Sequence, residues 1–544
     1  MTVLSIEELR VRTKRNNKKM VSSSVSLDAK DLTINKVDSI EEASVTDAQL
    51  LSVISPSGKV VVIDDVVDEA MEFAKHHEHI TLTKEEDRAV KRKLDMIVMP
   101  LFSFLYMIQF MDKTCISFAA VMGIQKDYHM VKDMYSWTTS CFYLGYLCAS
   151  PLAAVLLQKL PSMRTSAACI VIWGVIQCLH VTSKSYATFI LLRTLLGVLE
   201  ALVSPIFVIM MNQYYKKSEH FGYIGVLYGC NGLGTVILAL VSFGLYKHLH
   251  AYSMEAYKVL FLIVGCFTIL NGLMILAIMP NTPAGAKFLS EREKLVVLER
   301  IRGNNQGFGS KKFKFHQMKE CFMDVRTWLY FFIGISVAIP NGGISSFGSI
   351  ILKGLGYSTS KSLLMKAPIG ACELVGLVVL PFISIFVKKR MVVSEIYLLL
   401  CVMSSAMLAF AKNKNAALAG YYITGIAPVG IITVTSCVAS NTAGHTKKLT
   451  ANAISLIGYS AGNIIGPQTF RSSDAPNYPK AKAAIVGCYC AAIVLMAAMT
   501  WLNVRENNKR DRLQAELGDK YVEIENQEFA DLTDFENPAF RYSI

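Results

Sequence analysis

Charge is scarce in this chain of 544 residues: Asp, Glu, Lys and Arg make up 18% of it, against 53% hydrophobic residues. A soluble domain carries roughly a quarter charged residues, so a chain built mainly to meet water is excluded. The 13 cysteines form no CxxC pair and no metal-ligand spacing. Most lie in apolar runs (Cys115, Cys141, Cys148, Cys169, Cys178, Cys230), where cysteine acts as a small hydrophobe. A disulfide scaffold and an ordinary zinc site are excluded, and no cofactor is implied. GxSG, HExxH, a P-loop and paired intramembrane aspartates are also missing, so the chain is not read as an enzyme.

The first 90 or so residues hold no apolar stretch of signal-peptide length. They are rich in Ser, Asp, Glu and Lys and are expected to be largely disordered. The tail ends in Thr83-Lys84-Glu85-Glu86, a capping box. The helix it starts runs through Lys91-Arg92-Lys93 into the first of many long apolar runs.

Those runs are what the chain has in quantity. Each is about 20 residues, the length that crosses a hydrocarbon core. Six fall near 95–120, 135–157, 165–182, 186–212, 221–246 and 257–279; six more near 327–350, 362–387, 391–411, 416–440, 449–468 and 482–503. The expected organisation is a tail (1–94), a six-helix half (95–280), a basic linker (281–326), a second half (327–503) and a C-terminal tail (504–544). Basic residues crowd alternate loops, at Lys91–Lys93, Lys159/Arg164, Lys216/Lys217, Lys388-Lys389-Arg390, Lys447/Lys448 and Arg505/Lys509/Arg510. The positive-inside rule then puts both termini and the linker in the cytosol. Much of the net +13 is topology signal and lipid-headgroup contact, and no nucleic-acid partner is expected. Within the linker, Ser290-Glu291-Arg292-Glu293 is a second capping box, opening the amphipathic stretch Lys294 to Arg302. Two six-helix halves joined by such a loop is the plan of the major facilitator fold, an all-α membrane architecture with substrate bound between the halves.

A charge inside a membrane segment is costly unless paired or hydrated, so buried charges mark function. The first segment carries Asp112 and Lys113, the fourth Arg193 and Glu200, the eighth Glu373 and Lys366. Asp112 and Lys113 point about 100° apart on a helix and do not face each other. Arg193 and Glu200 share a face but are about 10 Å apart along the axis. Partners across the two helices are needed, with Asp112 or Glu200 meeting Lys113 or Arg193. The four are neutral together, and protonating one carboxylate leaves a positive charge ready for an anion. Competing readings place Asp112 and Lys113 at a solvated segment end, and make Arg193 and Glu200 a structural network. Lys366, two residues before Pro368, could snorkel to the surface. Gln109, Asn231 within Gly229–Gly234, Asn341 and Ser345 within Pro340-Asn341-Gly342-Gly343-Ile344-Ser345-Ser346, and Asn463 supply polar groups at cavity depth. The Pro340 stretch is expected to break its helix, as at many transporter sites, or to be a packing kink.

The same residues carry a family resemblance. Phe110-Met111-Asp112-Lys113, then Arg193, Gly197 and Glu200 followed by Pro205, then Pro280-Asn281-Thr282-Pro283 leading into Phe288-Leu289-Ser290 and Arg292-Glu293-Lys294, resemble the anion:cation symporter family of the major facilitator superfamily. The likeness is to its fungal allantoate permease branch and spans almost the whole chain. It includes Ser55-Pro56-Ser57-Gly58-Lys59 and Asp531-Leu532-Thr533-Asp534-Phe535-Glu536-Asn537-Pro538. The resemblance implies twelve transmembrane helices and proton-coupled uptake of a small organic anion. It implies proton-coupling roles for Asp112 and Glu200. The family's arginine after the first acid is Lys113 here, which keeps the charge without the bidentate fork. The loop between segments 2 and 3 departs from the superfamily pattern, keeping Lys159 and Arg164 around Pro161. Lys113, Arg193, Gln109, Asn231, Asn341, Ser345 and Glu373 are the candidate substrate contacts. The leading expectation is a monomeric plasma-membrane symporter importing allantoate, ureidosuccinate or small dipeptides with protons. The alternatives are uptake of a vitamin or amino-acid carboxylate (nicotinate, pantothenate, cysteine), or a nutrient receptor that no longer transports.

Overall fold

The Thr83 capping box starts a helix. In the computed structural model, which describes residues 51–54, 60–63, 83–248, 253–302, 314–386, 390–517, 532–537 and 539–544, the Glu86 amide donates to Thr83 Oγ1 at 3.2 Å. The Thr83 amide reaches the Glu86 carboxylate in return at 3.3 Å. Helix α1 (Lys84–Met122) then runs unbroken through Pro100. It is followed by α2 (Met134–Lys159), α3 (Ser162–Leu179), α4 (Tyr186–Glu200), α5 (Val203–Tyr214), α6 (Lys217–Lys247) and α7 (Ala256–Ile278). The linker holds α8 (Glu291–Arg302), which the Ser290 box announces, and α9 (Phe315–Met323), which the sequence reading did not include. The second half comprises α10 (Val325–Gly354), α11 (Ala367–Phe386), α12 (Arg390–Phe410), α13 (Lys414–Ile423), α14 (Val429–Asn441), α15 (His445–Gln468) and α16 (Pro479–Leu517).

Helices α4 and α5 form one span, as do α13 and α14, which gives twelve spans in two sets of six. Among the described residues, ten are long and apolar enough to cross a membrane. The two that fall short, α2 and α15, pack on each other: Ser140 donates to the Ile464 carbonyl at 2.8 Å, and Gln468 donates to Ser140 at 2.9 Å. Their polar groups are spent between the halves and need not face lipid. Large exposed apolar side chains such as Leu152, Leu191, Leu240, Val375, Leu399 and Val494 cover faces that have no protein partner.

One expectation is corrected. The helix does not break at Pro340: α10 runs through it, with the Ser345 and Ser346 hydroxyls on the Gly342 carbonyl at 3.2 and 2.7 Å. The interruptions lie elsewhere, each four residues before a proline. Pro205 has no N–H to offer the Ala201 carbonyl, and the fourth span breaks between Glu200 and Val203. Pro428 likewise frees the Thr424 carbonyl, which turns to the Ala427 amide at 3.1 Å in a short 3-10 turn.

Hydrogen bonds that join the halves gather at the end of the bundle remote from α8. Ser117 meets Ser349 at 3.3 Å, and Tyr135 donates to the Ser346 carbonyl at 2.7 Å. Nearer the linker, Gly232 on α6 and Gly370 on α11 bring backbone against backbone; a Cβ on either would strike the other's carbonyl oxygen. Close approach is what the Gly229–Gly234 run is for.

The linker end of each half is tied by charge. In the first, Arg300 of α8 is buried and grips both oxygens of Glu219 at 3.1 and 3.0 Å, while Lys93 pairs with Glu293 at 2.7 Å. Arg292 and Thr83 hold the exposed Glu86 carboxyl below its usual range. In the second, buried Lys447 faces Asp534 at 2.7 Å, Glu320 at 2.9 Å and Asp324 at 3.2 Å. Asp534 belongs to the C-terminal segment, which is pinned to α16 by Arg510 on the Asp534 carbonyl at 2.8 Å. Removing Lys447 leaves the buried Asp534 and Asp324 without its ammonium, and breaking a buried pair costs about 3–5 kcal/mol. Lys447→Met should therefore lower the melting temperature of the purified protein and expose residues 532–544 to protease. An unchanged melt and cleavage pattern would show the cluster to be energetically idle.

Leu51–Ile54 and Val60–Ile63 pair as an antiparallel hairpin, in a tail read as largely without structure; the β-branched Val60-Val61-Val62-Ile63 run favours a strand. Ser55–Lys59, Lys388-Lys389, Asp531 and Pro538 lie outside the described residues.

Candidate functional site

The site begins with the approach of α4 to α2. A Cβ on Gly197 would fall on the Phe142 carbonyl oxygen, so only glycine lets the two helices close to this distance. One face of α4 then turns Arg193 and Glu200 inward toward α1, and both are buried.

Each finds an opposite charge on α1. Arg193 Nη1 lies 3.4 Å from Asp112 Oδ1, and Lys113 Nζ lies 2.5 Å from Glu200 Oε1. The solvated position considered for Asp112 is not adopted, since its exposure is 0%. The two carboxylates are held differently. Asp112 has both oxygens engaged, because Trp173 Nε1 on α3 donates to Oδ2 at 2.6 Å. Glu200 has the ammonium and, beside it, Gln109. Arg193 is also fixed in its plane: Nη2 donates to Cys115 Sγ at 3.6 Å, and the group lies 5.7 and 5.5 Å from the Phe189 and Phe261 ring centres.

One small cavity adjoins this cluster, and a second shares Ser345 with it. One is lined by Lys113 and Arg193 with Thr138, Thr139 and Tyr143 of α2, and Ser345 of α10. The other, of about 50 Å³, lies toward the second half against Asn341, Ser345, Lys366, Glu373, Tyr421 and Tyr489. By volume it would hold a few water molecules at roughly 10–15 Å³ each. Buried oxygens without hydrogen-bond partners border both: Thr139 Oγ1 at the first, Glu373 Oε1 and the Tyr421 and Tyr489 hydroxyls at the second. Unsatisfied buried polar atoms are uncommon and call for a reason. The 3-10 turn before Pro428 lines the second cavity, so the break in the tenth span lies at the site.

A site between two six-helix halves, with paired charges at mid-helix, is the arrangement of alternating-access carriers. Comparison with known proteins agrees. The Major Facilitator Superfamily family model matches residues 102–467. The chain belongs to that superfamily. The allantoate permease of Saccharomyces cerevisiae is 44% identical over 96% of this chain and 99% of its own length. An uncharacterized transporter of Schizosaccharomyces pombe is 44% identical over 88% of this chain and 96% of its own length. A thiamine pathway transporter of Saccharomyces cerevisiae is 31% identical over 88% and 90%. Among solved structures, a bacterial homolog of the human lysosomal transporter Spinster in an inward-facing, occupied conformation overlays with a TM-score of 0.54 at 16% identity, covering 74% of this chain and 96% of that one. The likeness to that structure concerns the fold. Superfamily membership makes this chain a multi-pass membrane protein and a transporter of small organic solutes.

Against this frame of facilitator helices, the candidates from the sequence divide. Asp112, Lys113, Arg193 and Glu200 come together as one cluster with Gln109 beside it. Asn341, Ser345 and Glu373 line the second cavity. Asn231 lines neither, although it is buried on α6 with its carbonyl accepting from Thr235 at 3.3 Å. Asn463 holds Asn341 in place, accepting from its amide at 2.9 Å. Lys366 does not snorkel; it is 2% exposed. Trp173, Tyr421 and Tyr489 were not found from sequence. An aromatic inside an apolar run looks like packing. The Thr138-Thr139-Ser140 run, a polar interruption of the second span, was a legible signal that went unused.

Proposed function

We propose that this transporter is a proton-coupled importer of a small organic anion, with allantoate, ureidosuccinate or small dipeptides as the first candidates, acting at the plasma membrane with the α8 end in the cytosol. The observation that carries this reading is the pair of buried ion pairs, Arg193–Asp112 and Lys113–Glu200, beside cavities lined by both halves. Each cation already has a carboxylate, so the resting cluster offers an anion little. A proton on Glu200 changes that by releasing the Lys113 ammonium next to Arg193, Thr138 and Thr139. Proton and anion then stabilise each other's binding, which is what symport requires. Glu200 suits the exchange better than Asp112, because Trp173 and Arg193 occupy both Asp112 oxygens. The 44% identity to an allantoate permease over nearly the full length of both chains supports the substrate class. With the α8 end facing the cytosol, the hydrogen bonds between the halves close the outer side, and the loaded site would discharge inward.

The reading has a direct test in vesicles containing the purified protein. Concentrative uptake of labelled allantoate should follow an imposed pH gradient and vanish when the gradient is collapsed. Accumulation that persists without the gradient, or tracks sodium, would defeat proton coupling. Competition by nicotinate and pantothenate separates a ureido-acid carrier from a vitamin carrier.

A further inference from the structure

We infer that Lys366 and Glu373 form a second pole of the substrate site, one that recognises the carbonyl and N–H groups of an amide or urea carried by the transported carboxylate. The inference rests on the transport reading above and refines its substrate class.

The argument starts from which buried charges already have partners. Arg193 has Asp112, and Lys113 has Glu200. Lys366 is as buried as Arg193, yet among the described residues its ammonium touches no carboxylate. It donates to the Ser345 carbonyl at 3.3 Å and lies 4.5 Å from the Phe118 ring centre. Glu373 is its converse: a carboxylate 5% exposed whose Oε1 accepts no hydrogen bond. A buried ionisable group without a partner is expensive, and here one base and one acid sit in the same cavity wall without meeting. Spacing accounts for this. Lys366 lies in the turn between the short helix Thr359–Leu364 and α11, whereas Glu373 is about two turns into α11, and among the described residues no hydrogen bond or ion pair joins them, which leaves a bridging group a place.

The charges select the bridging group. A second carboxylate would suit Lys366 but be repelled by Glu373, and an ammonium would do the reverse. A neutral amide or urea satisfies both, presenting its oxygen to Lys366 and its N–H groups to Glu373. The unpartnered hydroxyls of Tyr421 and Tyr489 and the Asn341 amide line the same cavity and can serve either kind of group. Ser345, common to both cavities, marks the passage from this pole to the Lys113–Arg193 pole. The fitting molecule carries a carboxylate at one end and an amide or ureido group at the other. A site built to hydrogen-bond a substrate group discriminates strongly against the analogue without it, because its own buried groups are then left unpaired.

Ureidosuccinate and succinate share a carbon skeleton and differ by the ureido group, so they isolate this pole. Each is titrated against binding of labelled ureidosuccinate to the purified full-length protein at one pH, with folding checked by thermal melting. The wild type should favour ureidosuccinate by at least about tenfold. Lys366→Met and Glu373→Gln should each bring that ratio toward one by weakening ureidosuccinate and leaving succinate unchanged, while Lys366→Arg keeps the preference. A wild type that binds succinate as well, or binds neither, overturns the inference, as does a folded Lys366→Met or Glu373→Gln protein with the preference intact. If Lys366→Met does not fold, the wild-type ratio and Glu373→Gln decide. Binding at fixed pH needs no gradient, so failure of proton coupling would leave this ratio untouched, and loss of the ratio would leave gradient-driven uptake standing.

Discussion

Glu200→Gln should reduce pH-driven net uptake to background while substrate exchange in counterflow survives. Glutamine has the shape of the protonated acid but can never release the proton. Under the proposed coupling, net uptake needs the empty carrier to return with Glu200 ionised against Lys113, which sits 2.5 Å away in the resting cluster. Exchange needs only the loaded carrier to reorient. With Glu200 neutral, Lys113 loses its competing anion, so apparent affinity for substrate should hold or rise. The measurement is paired: gradient-driven accumulation and counterflow in vesicles of matched protein content. Full, pH-sensitive net uptake by Glu200→Gln would transfer the coupling role to Asp112. Loss of both modes in a folded protein would make Glu200 structural or a direct ligand.

Arg193 gives the second large effect. Its guanidinium is engaged in several directions at once, with Asp112 at Nη1, Cys115 at Nη2 and aromatic rings around its plane. Lysine restores the charge and none of that geometry. A charge-assisted hydrogen bond contributes about 1.5–3 kcal/mol, so Arg193→Lys should weaken apparent affinity by roughly 10–100-fold while the protein still folds. Arg193→Ala is harsher, since it strands a buried Asp112 at a cost of about 3–5 kcal/mol. Combining Arg193→Ala with Asp112→Asn removes both charges and should recover the melting temperature without recovering transport. Near-normal uptake by the double variant would show that the pair only holds the helices together.

Much of this molecule was legible in one dimension because its causes are local. Apolar run length, capping boxes at Thr83 and Ser290 and the rhythm of basic loops depend on neighbours a few residues away. They determined the twelve spans, the two halves and the linker helix, and the cost of burying charge in lipid picked out Asp112, Lys113, Arg193, Glu200 and Glu373. The break expected at Pro340 shows the limit of local reasoning. Proline permits a break, but α1 runs through Pro100 and α10 through Pro340, whereas the spans before Pro205 and Pro428 are interrupted. Pairing was likewise beyond the sequence. Asp112 and Lys113 point in different directions on one helix, and either acid could have met either base. The rotation and depth of α4 against α1, helped by the close packing at Gly197, matched Arg193 to Asp112 and Lys113 to Glu200. Tertiary structure alone also supplied Trp173 to Asp112, buried Lys366 where a snorkelling lysine was conceivable, and folded Asp534 onto Lys447 from 87 residues further along the chain. Helix formation is decided by spacing along the chain, whereas partnership between charges is decided by distance in space, and only packing converts one into the other.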